Sequence, residues 1–408
     1  MQTGPRICYA LPAMPTPYPV TFRLTKKNRN SVASLLAVLE DELPAGLVEL
    51  RLLEKAGDFT GEGLYVDSFM TRGLERVRSE LAELQKRLGE RLRAVAGGCH
   101  ASADPAGTLA LGFRHVATGE AGAAFAAFVR ELAEGREPAP GAFGAGGAPP
   151  LDRYAPWPRS GQLFAHVEIT RGCPMACAFC QTPRLFGRTP RHRSLESIRR
   201  TFEHASSTGH RYTRFVAPNA FGYGSKDGTT PDPKAVEALL ETTRSAGMKE
   251  IFLGTFPSEV WPTSVTPELL ALVKAYCAND SIALGIQSGS SDVLRAVRRG
   301  HTAEQGIAAV ALIAKAGFVP KVDFIFGFPG ETDADRSKTR ALISHLVAEY
   351  GATVHAHLFD PLPGTPLAGT TPSTLDVATR DLLATLAGQK KLTGVDASEL
   401  DDADDGRD

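Results

Sequence analysis

Long apolar runs are missing from this chain. No stretch approaches the ~18 consecutive apolar residues that a membrane-crossing helix needs, so a helical membrane span is not expected. An excess of charge of one sign is missing too. Lys and Arg number 45 against 46 Asp and Glu, for a net charge of −1, which argues against a protein built to coat nucleic acid or an anionic membrane. Cysteine is scarce, with six in 408 residues. That is too few, and too unevenly spread, for a disulfide framework, and it makes a reducing cytoplasm the expected location. The start, Met1-Gln-Thr-Gly-Pro-Arg6, lacks the basic n-region and apolar h-region of a secretory signal. A hydrophobic fraction of 43% and a charged fraction of 22% are ordinary for a soluble globular chain. The length suggests two or three domains.

Half of the cysteines stand together. Cys173, Cys177 and Cys180 lie in the run Arg171-Gly-Cys-Pro-Met-Ala-Cys-Ala-Phe-Cys180, a C-x3-C-x2-C spacing that follows the apolar run Leu163–Ile169. Three thiolates so close can hold three irons of a cubane cluster, because thiolate is the usual iron–sulfur ligand. They supply no fourth ligand, so one iron stays open to a small molecule, the property that separates a catalytic metal site from a structural one. A structural zinc site is the plainer alternative. It wants four ligands and usually two C-x2-C knuckles. No second knuckle exists, and His166 and His192 are poorly spaced to complete one. The aromatic Phe179 between the last two cysteines adds to the cluster reading.

The expected fold is α/β throughout. Over residues 1–137, strands are predicted at Arg6–Leu11, Val48–Leu53, Gly63–Phe69, Arg93–Ala96 and Phe113–Ala117. Helices are predicted at Ser31–Glu42, Gly73–Leu92 and Ala121–Glu134. That alternation fits a doubly wound, Rossmann-like parallel sheet, whose ligands bind at the carboxyl ends of the strands. Residues 138–160 open on the Pro/Gly/Ala-rich run Glu137–Pro150 and read as a linker. From 161 to 372, strand candidates recur at Phe164–Ile169, Thr213–Ala217, Glu250–Thr255, Ser281–Gln287, Lys321–Gly327 and Thr353–Phe359, with helical stretches between. Six βα units in a row predict a partial (β/α)6 barrel of TIM type, with its chemistry at the carboxyl ends of the strands. Residues 373–408 read as one more helix and an acidic, disordered tail.

Several short motifs fall on those strand ends: Ala217-Pro-Asn-Ala-Phe-Gly-Tyr-Gly224, Thr255-Phe-Pro-Ser-Glu259, Gly285-Ile-Gln-Ser-Gly-Ser290, Arg298-Arg-Gly-His-Thr302 and Asp323-Phe-Ile-Phe-Gly-Phe-Pro-Gly-Glu331. Each alone is equally an ordinary strand-to-helix loop, and Arg299 and His301 are equally helix C-terminal charge. Together, and in this order after the cysteine loop, they resemble the radical S-adenosylmethionine superfamily. Within it they are similar to the radical domain of methylthiotransferases and their cobalamin-associated relatives, from about Phe164 to Pro366. The resemblance implies a [4Fe–4S] cluster on Cys173, Cys177 and Cys180, with S-adenosylmethionine chelated on the free iron. It implies that Phe179, Asn219, Gln287, Ser288 and Ile325 line the S-adenosylmethionine pocket, with Ile325 against the adenine. Ser258 and Glu259 would face the ribose or amino group.

The amino-terminal part resembles the cobalamin-binding domain of class B enzymes, through Ala94-Val-Ala-Gly-Gly-Cys-His-Ala101 and Val116-Ala-Thr-Gly-Glu120. This implies that Gly97, Gly98, His100, Gly119 and Glu120 approach the corrin, glycine allowing close backbone contact. The D-x-H-x-x-G run that supplies an axial histidine elsewhere is absent, so cobalt is expected without a protein ligand. The implied activity is reductive cleavage of S-adenosylmethionine, and with cobalamin a radical methyl transfer. A methylthiotransferase acting on tRNA or protein, and a non-catalytic iron–sulfur sensor or scaffold, are the alternatives. The implied partners are a small-molecule or peptide substrate and a low-potential donor of flavodoxin or ferredoxin type. Arg184, Arg188, Arg191, Arg193, Arg199 and Arg200 crowd one stretch, which suits phosphate recognition, but Phe186 is the lone Phe, Tyr or Trp among them, and a solvated helix face is the commoner explanation.

Overall fold

A computed structural model describes residues 16–144 and 147–395. The strand expected at Arg6–Leu11, Cys8 and the acidic tail lie outside the described residues. Among those described, no helix is long and apolar enough to cross a membrane.

The first half runs β1 (Tyr18–Arg23), α1 (Arg29–Glu42), β2 (Val48–Leu53), β3 (Leu64–Ser68), α2 (Leu74–Leu88), β4 (Arg93–Gly97), α3 (Gly98–Ala103), α4 (Pro105–Ala110), β5 (His115–Thr118), α5 (Gly122–Ala133) and β6 (Gly141–Gly144). Its six strands lie in the order β2-β1-β3-β4-β5-β6, every neighbouring pair parallel. This is the doubly wound sheet expected, with its topological switch between β1 and β3. Four elements were not expected: β1, α3, α4 and β6. β1 opens on Tyr-Pro, and Pro is tolerated at the start of a strand; its Val20 and Phe22 are wholly buried. β6 falls inside the predicted linker. Its Gly and Ala residues pair with β5 as the edge strand, and a Cβ on Gly144 would stand 2.5 Å from the Thr118 carbonyl oxygen. The small residues that made the segment read as a linker are what lets it lie so close.

The second half runs β7 (Val167–Glu168), β8 (Thr170–Arg171), α6 (Thr182–Leu185), β9 (Arg191–His192), α7 (Leu195–Ser207), β10 (Tyr212–Val216), α8 (Pro233–Ser245), β11 (Glu250–Phe252), α9 (Pro267–Tyr276), β12 (Ser281–Gln287), α10 (Ser291–Ala296), α11 (Ala303–Lys315), β13 (Val319–Phe326), α12 (Asp333–Tyr350), β14 (Thr353–Leu358), α13 (Val377–Gly388) and β15 (Leu392–Thr393). Two parallel sheets, β11-β10-β7 and β12-β13-β14-β15, join through a bridge between Val260 and Leu284 into a partial barrel. β8 and β9 pair antiparallel and brace the cysteine loop at its base. Helix starts are set by side-chain caps: Ser194, Asp232, Thr266, Ser290 and Thr302 each accept from the third residue beyond, an arrangement worth about 1 kcal/mol per helix.

The core does not stop at the boundary between the halves. One apolar cluster takes in Val20 and Phe22 of β1, Leu36 of α1 and Phe125 of α5. It continues through Trp157 and Leu163 into Ile169, Phe202 and Phe215 of the barrel. A second cluster, built on Val77, Leu81 and Leu84 of α2, covers the other face of the first sheet.

Candidate radical site at the barrel mouth

The cysteine loop is held by its own backbone and by arginines. Gly172, at φ +87°, lets the chain turn where a Cβ would meet the Thr189 carbonyl oxygen at 2.4 Å. The Cys173 amide donates to the Gly187 carbonyl at 3.1 Å, and the Ala178 amide to that of Val297 at 2.8 Å. Arg184 donates to the carbonyls of Cys177 (3.1 Å) and Cys180 (2.7 Å), and Arg188 to that of Pro174 at 2.8 Å. Arg193 is buried on the backbone of Glu168 and Tyr154, while Arg199 and Arg200 pair along α7 with Glu196. The partners of this basic stretch are therefore within the protein.

Cys173 and Cys177 are buried and Cys180 is half-buried. Burial pushes the Cys173 thiol up to about 11, against the pull of Arg299. Arg299 lies with Nη1 3.8 Å from the Cys177 sulfur and Nη2 2.8 Å from the Gly285 carbonyl. A guanidinium there complements anionic sulfur. Among the described residues no three His, Cys, Asp or Glu side chains converge as ligands of one ion would. Thiolates of a cubane each take a different iron and need not converge. An apolar cover of Ala178, Val293, Val297, Phe328 and Phe359, with Phe179 and Ile325 packed on it, shields the loop from water. Three thiols, a cation and a dry cover fit an iron–sulfur cluster.

The strand ends carry the other expected residues, not all facing the same way. The Asn219 Oδ1 accepts from the amides of Phe221 and Trp261 and from the Ser264 hydroxyl, which ties two strand-end loops together. Ser258 is locked onto the backbone of Ala217 at 2.8–3.0 Å. Ser288 is buried against Thr339 of α12, and His301 sits on the Ile286 carbonyl, where burial pushes it down to about 3. These four act first as ties. Gln287 takes a left-handed backbone, φ +76°, at a register shift of β12, and its Nε2 stands 3.5 Å from Glu259. A register shift beside a site re-aims a side chain.

Buried polar atoms without a partner crowd this mouth: Asn219 Nδ2, Gln287 Oε1, Arg299 Nε and both oxygens of Asp323. Such atoms are costly unless something bonds them. Donors and acceptors side by side suit a zwitterion such as the methionyl end of S-adenosylmethionine. Asp323, His355 and His357 were not singled out from the sequence. The signals were there: one acid inside the apolar run Val322–Phe326, and a His-x-His pair on a strand.

In the first half, His100 is buried with its Nδ1 3.1 Å from the Thr71 hydroxyl. The Gly119 amide donates to Ser102 at 2.9 Å, and a Cβ on Gly119 would meet nothing; one on Gly97 would make ordinary contact with Ala117. Two residues turn to other work. Gly98, at φ +91°, leaves no room for a Cβ, which would stand 2.6 Å from the Phe69 carbonyl oxygen, so its need for glycine is internal. Gly98→Val is therefore expected to cost about 2 kcal/mol or more in a urea melt without any cofactor. An unchanged melt would return Gly98 to cofactor contact alone. Glu120 reaches across to the barrel, 2.7 Å from Arg171 and paired also with Arg191. α3 lies against α6, so the strand ends of the first sheet look toward the cysteine loop.

The sequence profile described as the Radical SAM superfamily matches residues 167–343. The chain carries a radical S-adenosylmethionine domain, of an enzyme superfamily that uses a [4Fe–4S] cluster and S-adenosylmethionine. The tRNA-2-methylthio-N(6)-dimethylallyladenosine synthase of Sulfurihydrogenibium sp. is 30% identical over 223 residues, 53% of this chain and 48% of that protein. An uncharacterized protein of Methanopyrus kandleri is 28% identical over 209 residues, 50% of this chain and 39% of its own. The chain thus spans less than half the length of these relatives. Among solved structures, the radical S-adenosylmethionine methyltransferase TsrM from Kitasatospora setae, with cobalamin and a [4Fe-4S] cluster bound, superposes with a TM-score of 0.63 at 16% identity. That covers 86% of this chain and 77% of TsrM. The cobalamin-dependent radical enzyme OxsB, with aqua-cobalamin and S-adenosylmethionine bound, gives 0.61 at 14% identity over 94% of this chain and 57% of OxsB. At these identities the likeness is one of fold.

Proposed function

We infer that the protein is a radical S-adenosylmethionine enzyme whose first half binds cobalamin and whose reaction is methyl transfer to a small-molecule or peptide substrate. The observation that carries this reading is the joint arrangement. The carboxyl ends of the first sheet face a C-x3-C-x2-C loop across α3 and α6, in a chain whose whole fold, not the barrel alone, follows TsrM and OxsB. When bound, the cluster supplies the electron for reductive cleavage of S-adenosylmethionine, and cobalamin the methyl-transfer chemistry. The chain's own part is positioning. Cys173, Cys177 and Cys180 would hold the cluster, and Arg299 offers its charge to the sulfurs. Gln287 and Glu259 present amide and carboxyl groups, while Ile325 with Phe179 and Phe328 keeps water out.

Anaerobically reconstituted protein with a low-potential reductant is expected to convert S-adenosylmethionine to 5′-deoxyadenosine or to pass its methyl group on, and to gain the absorption of bound cobalamin when it is added. Absence of any cobalamin retention would remove the methyltransferase reading. The identity to methylthiotransferases favours a second reading, which iron analysis separates. One cluster gives about four irons per chain and two clusters about eight.

A further inference from the structure

We propose that the outer face of the cysteine loop is the docking surface of an acidic protein that carries a one-electron centre, and that electrons enter the site there. This rests on the enzyme reading above and names its partner. Pro174, Met175 and Ala176 form the tip of the loop, between Cys173 and Cys177, and all three are half-buried. Two other sides of the loop are covered. The apolar cluster of Phe328 and Phe359 lies on one, and the first half lies on another, through α3 against α6 and Glu120 against Arg171. At the tip, Pro174 and Ala176 adjoin two of the three clustered cysteines in the chain, so a partner seated there comes close to the sulfurs. Two glycines fix the shape of the tip. A Cβ on Gly228 would stand 2.8 Å from Pro174, and one on Gly300 would stand 2.9 Å from the sulfur of Met175.

Four exposed cations surround this tip: Arg184, Arg188, Lys226 and Arg298. Arg188 donates to the Pro174 carbonyl and Arg184 to that of Cys177. Lys226 stands just before Gly228. Arg298 stands just before Gly300 and follows Val297, whose carbonyl accepts from the Ala178 amide at 2.8 Å. None of the four makes an ion pair among the described residues, whereas Arg171, Arg191, Arg199 and Arg200 all do. A carbonyl takes a hydrogen bond from a guanidinium and leaves its charge uncompensated. Two acids lie in the same region, and both are already bonded. Asp227 accepts from the Thr229 and Thr230 amides at 2.7 and 2.8 Å, and Asp292 pairs with Arg295 at 2.8 Å. In a chain of net charge −1, a positive surplus is thus gathered around the tip. An apolar centre inside a charged rim is the anatomy of a protein interface, and rim charges of one sign steer in a partner of the other. Pro174, Met175 and Ala176 offer RNA bases no ring to stack on, which favours an acidic protein over a nucleic acid. Reductive cleavage of S-adenosylmethionine consumes one electron per event. The partner's own centre is oxidised by that one electron, and no bond is made or broken at the surface.

The test uses the full reconstituted chain and an acidic flavodoxin as the probe, with binding measured by isothermal titration calorimetry. Affinity is expected to fall at least about tenfold between about 50 and about 300 mM salt, as screening of rim charges requires. Lys226→Glu combined with Arg298→Glu is expected to lose at least about tenfold in affinity, while Lys226→Arg combined with Arg298→Lys keeps the wild-type value. Iron content and thermal melting check that the reversed variant is intact. Its production of 5′-deoxyadenosine should match the wild type with dithionite, a small reductant that needs no docking. With limiting reduced flavodoxin, production should fall in step with affinity. Salt-insensitive binding by the wild type, or no binding, overturns the proposal. So does a reversed variant that binds as the wild type does. Equal loss of dithionite-driven cleavage in that variant also overturns it, because the two residues then serve the site itself. Single-stranded RNA that outcompetes flavodoxin for this face overturns it as well and makes the face a nucleic-acid site. The two readings stay apart. Cleavage with dithionite beside salt-insensitive flavodoxin binding sinks only this proposal, and charge-dependent docking without cleavage by any reductant sinks only the enzyme reading.

Discussion

Replacing Cys177 with Ala is expected to take bound iron to background and to abolish conversion of S-adenosylmethionine. Cys277→Ala should keep the iron content of the wild type. The contrast comes from placement. Cys177 is buried in a loop whose backbone is fixed by Arg184, with Arg299 3.8 Å from its sulfur. Cys277 caps the end of α9, outside the C-x3-C-x2-C run, and a lone thiolate does not hold a cubane. Iron and sulfide assays with the visible spectrum after anaerobic reconstitution decide it. Equal loss of iron from both variants would defeat the cluster assignment.

Glu120→Ala is expected to destabilise the chain by about 3 kcal/mol, in the absence of any cofactor. The Glu120 side chain is only 5% exposed and sits between Arg171 and Arg191, themselves 23% and 17% exposed. Removing it leaves two guanidiniums close together with much of their water already stripped away. The loss stays at the low end because Arg171 keeps Glu168. Chemical denaturation of the metal-free protein measures it. If Glu120→Ala melts like the wild type but loses cobalamin, Glu120 is a cofactor contact and its ion pairs contribute nothing.

The cysteine triad was legible because its spacing along the chain already confines three sulfurs to one loop, whatever the fold around them. The α/β alternation was legible for the same local reason. What sequence could not give was direction. Asn219, Ser258, Ser288 and His301 stand at the strand ends as expected, but a polar side chain there can face a ligand or a neighbouring loop, and these four hold loops and helices together. Gly98 was expected to be bare so that a corrin could approach it. The atom that requires it is the Phe69 carbonyl, 29 residues away in sequence and next door only in the sheet. β6 was hidden because its Gly and Ala residues carry no strand signal until Thr118 is seen beside them. Asp323 lay in plain view inside an apolar strand. Its meaning depends on Glu259 arriving from another strand end, a juxtaposition made by closure of the barrel.

The apolar cluster that runs from β1 and α1 through Trp157 into the barrel bears on how such a protein can be taken apart. Each half carries a seam of Leu, Phe and Trp shaped to the other, and cutting between them would leave that seam wet on both pieces. A barrel lifted out alone, or a first half grafted onto a foreign barrel, would arrive sticky at one side and with Glu120 or its arginines stranded. The two halves are not interchangeable modules on a string. They have to be inherited, expressed and engineered as a pair.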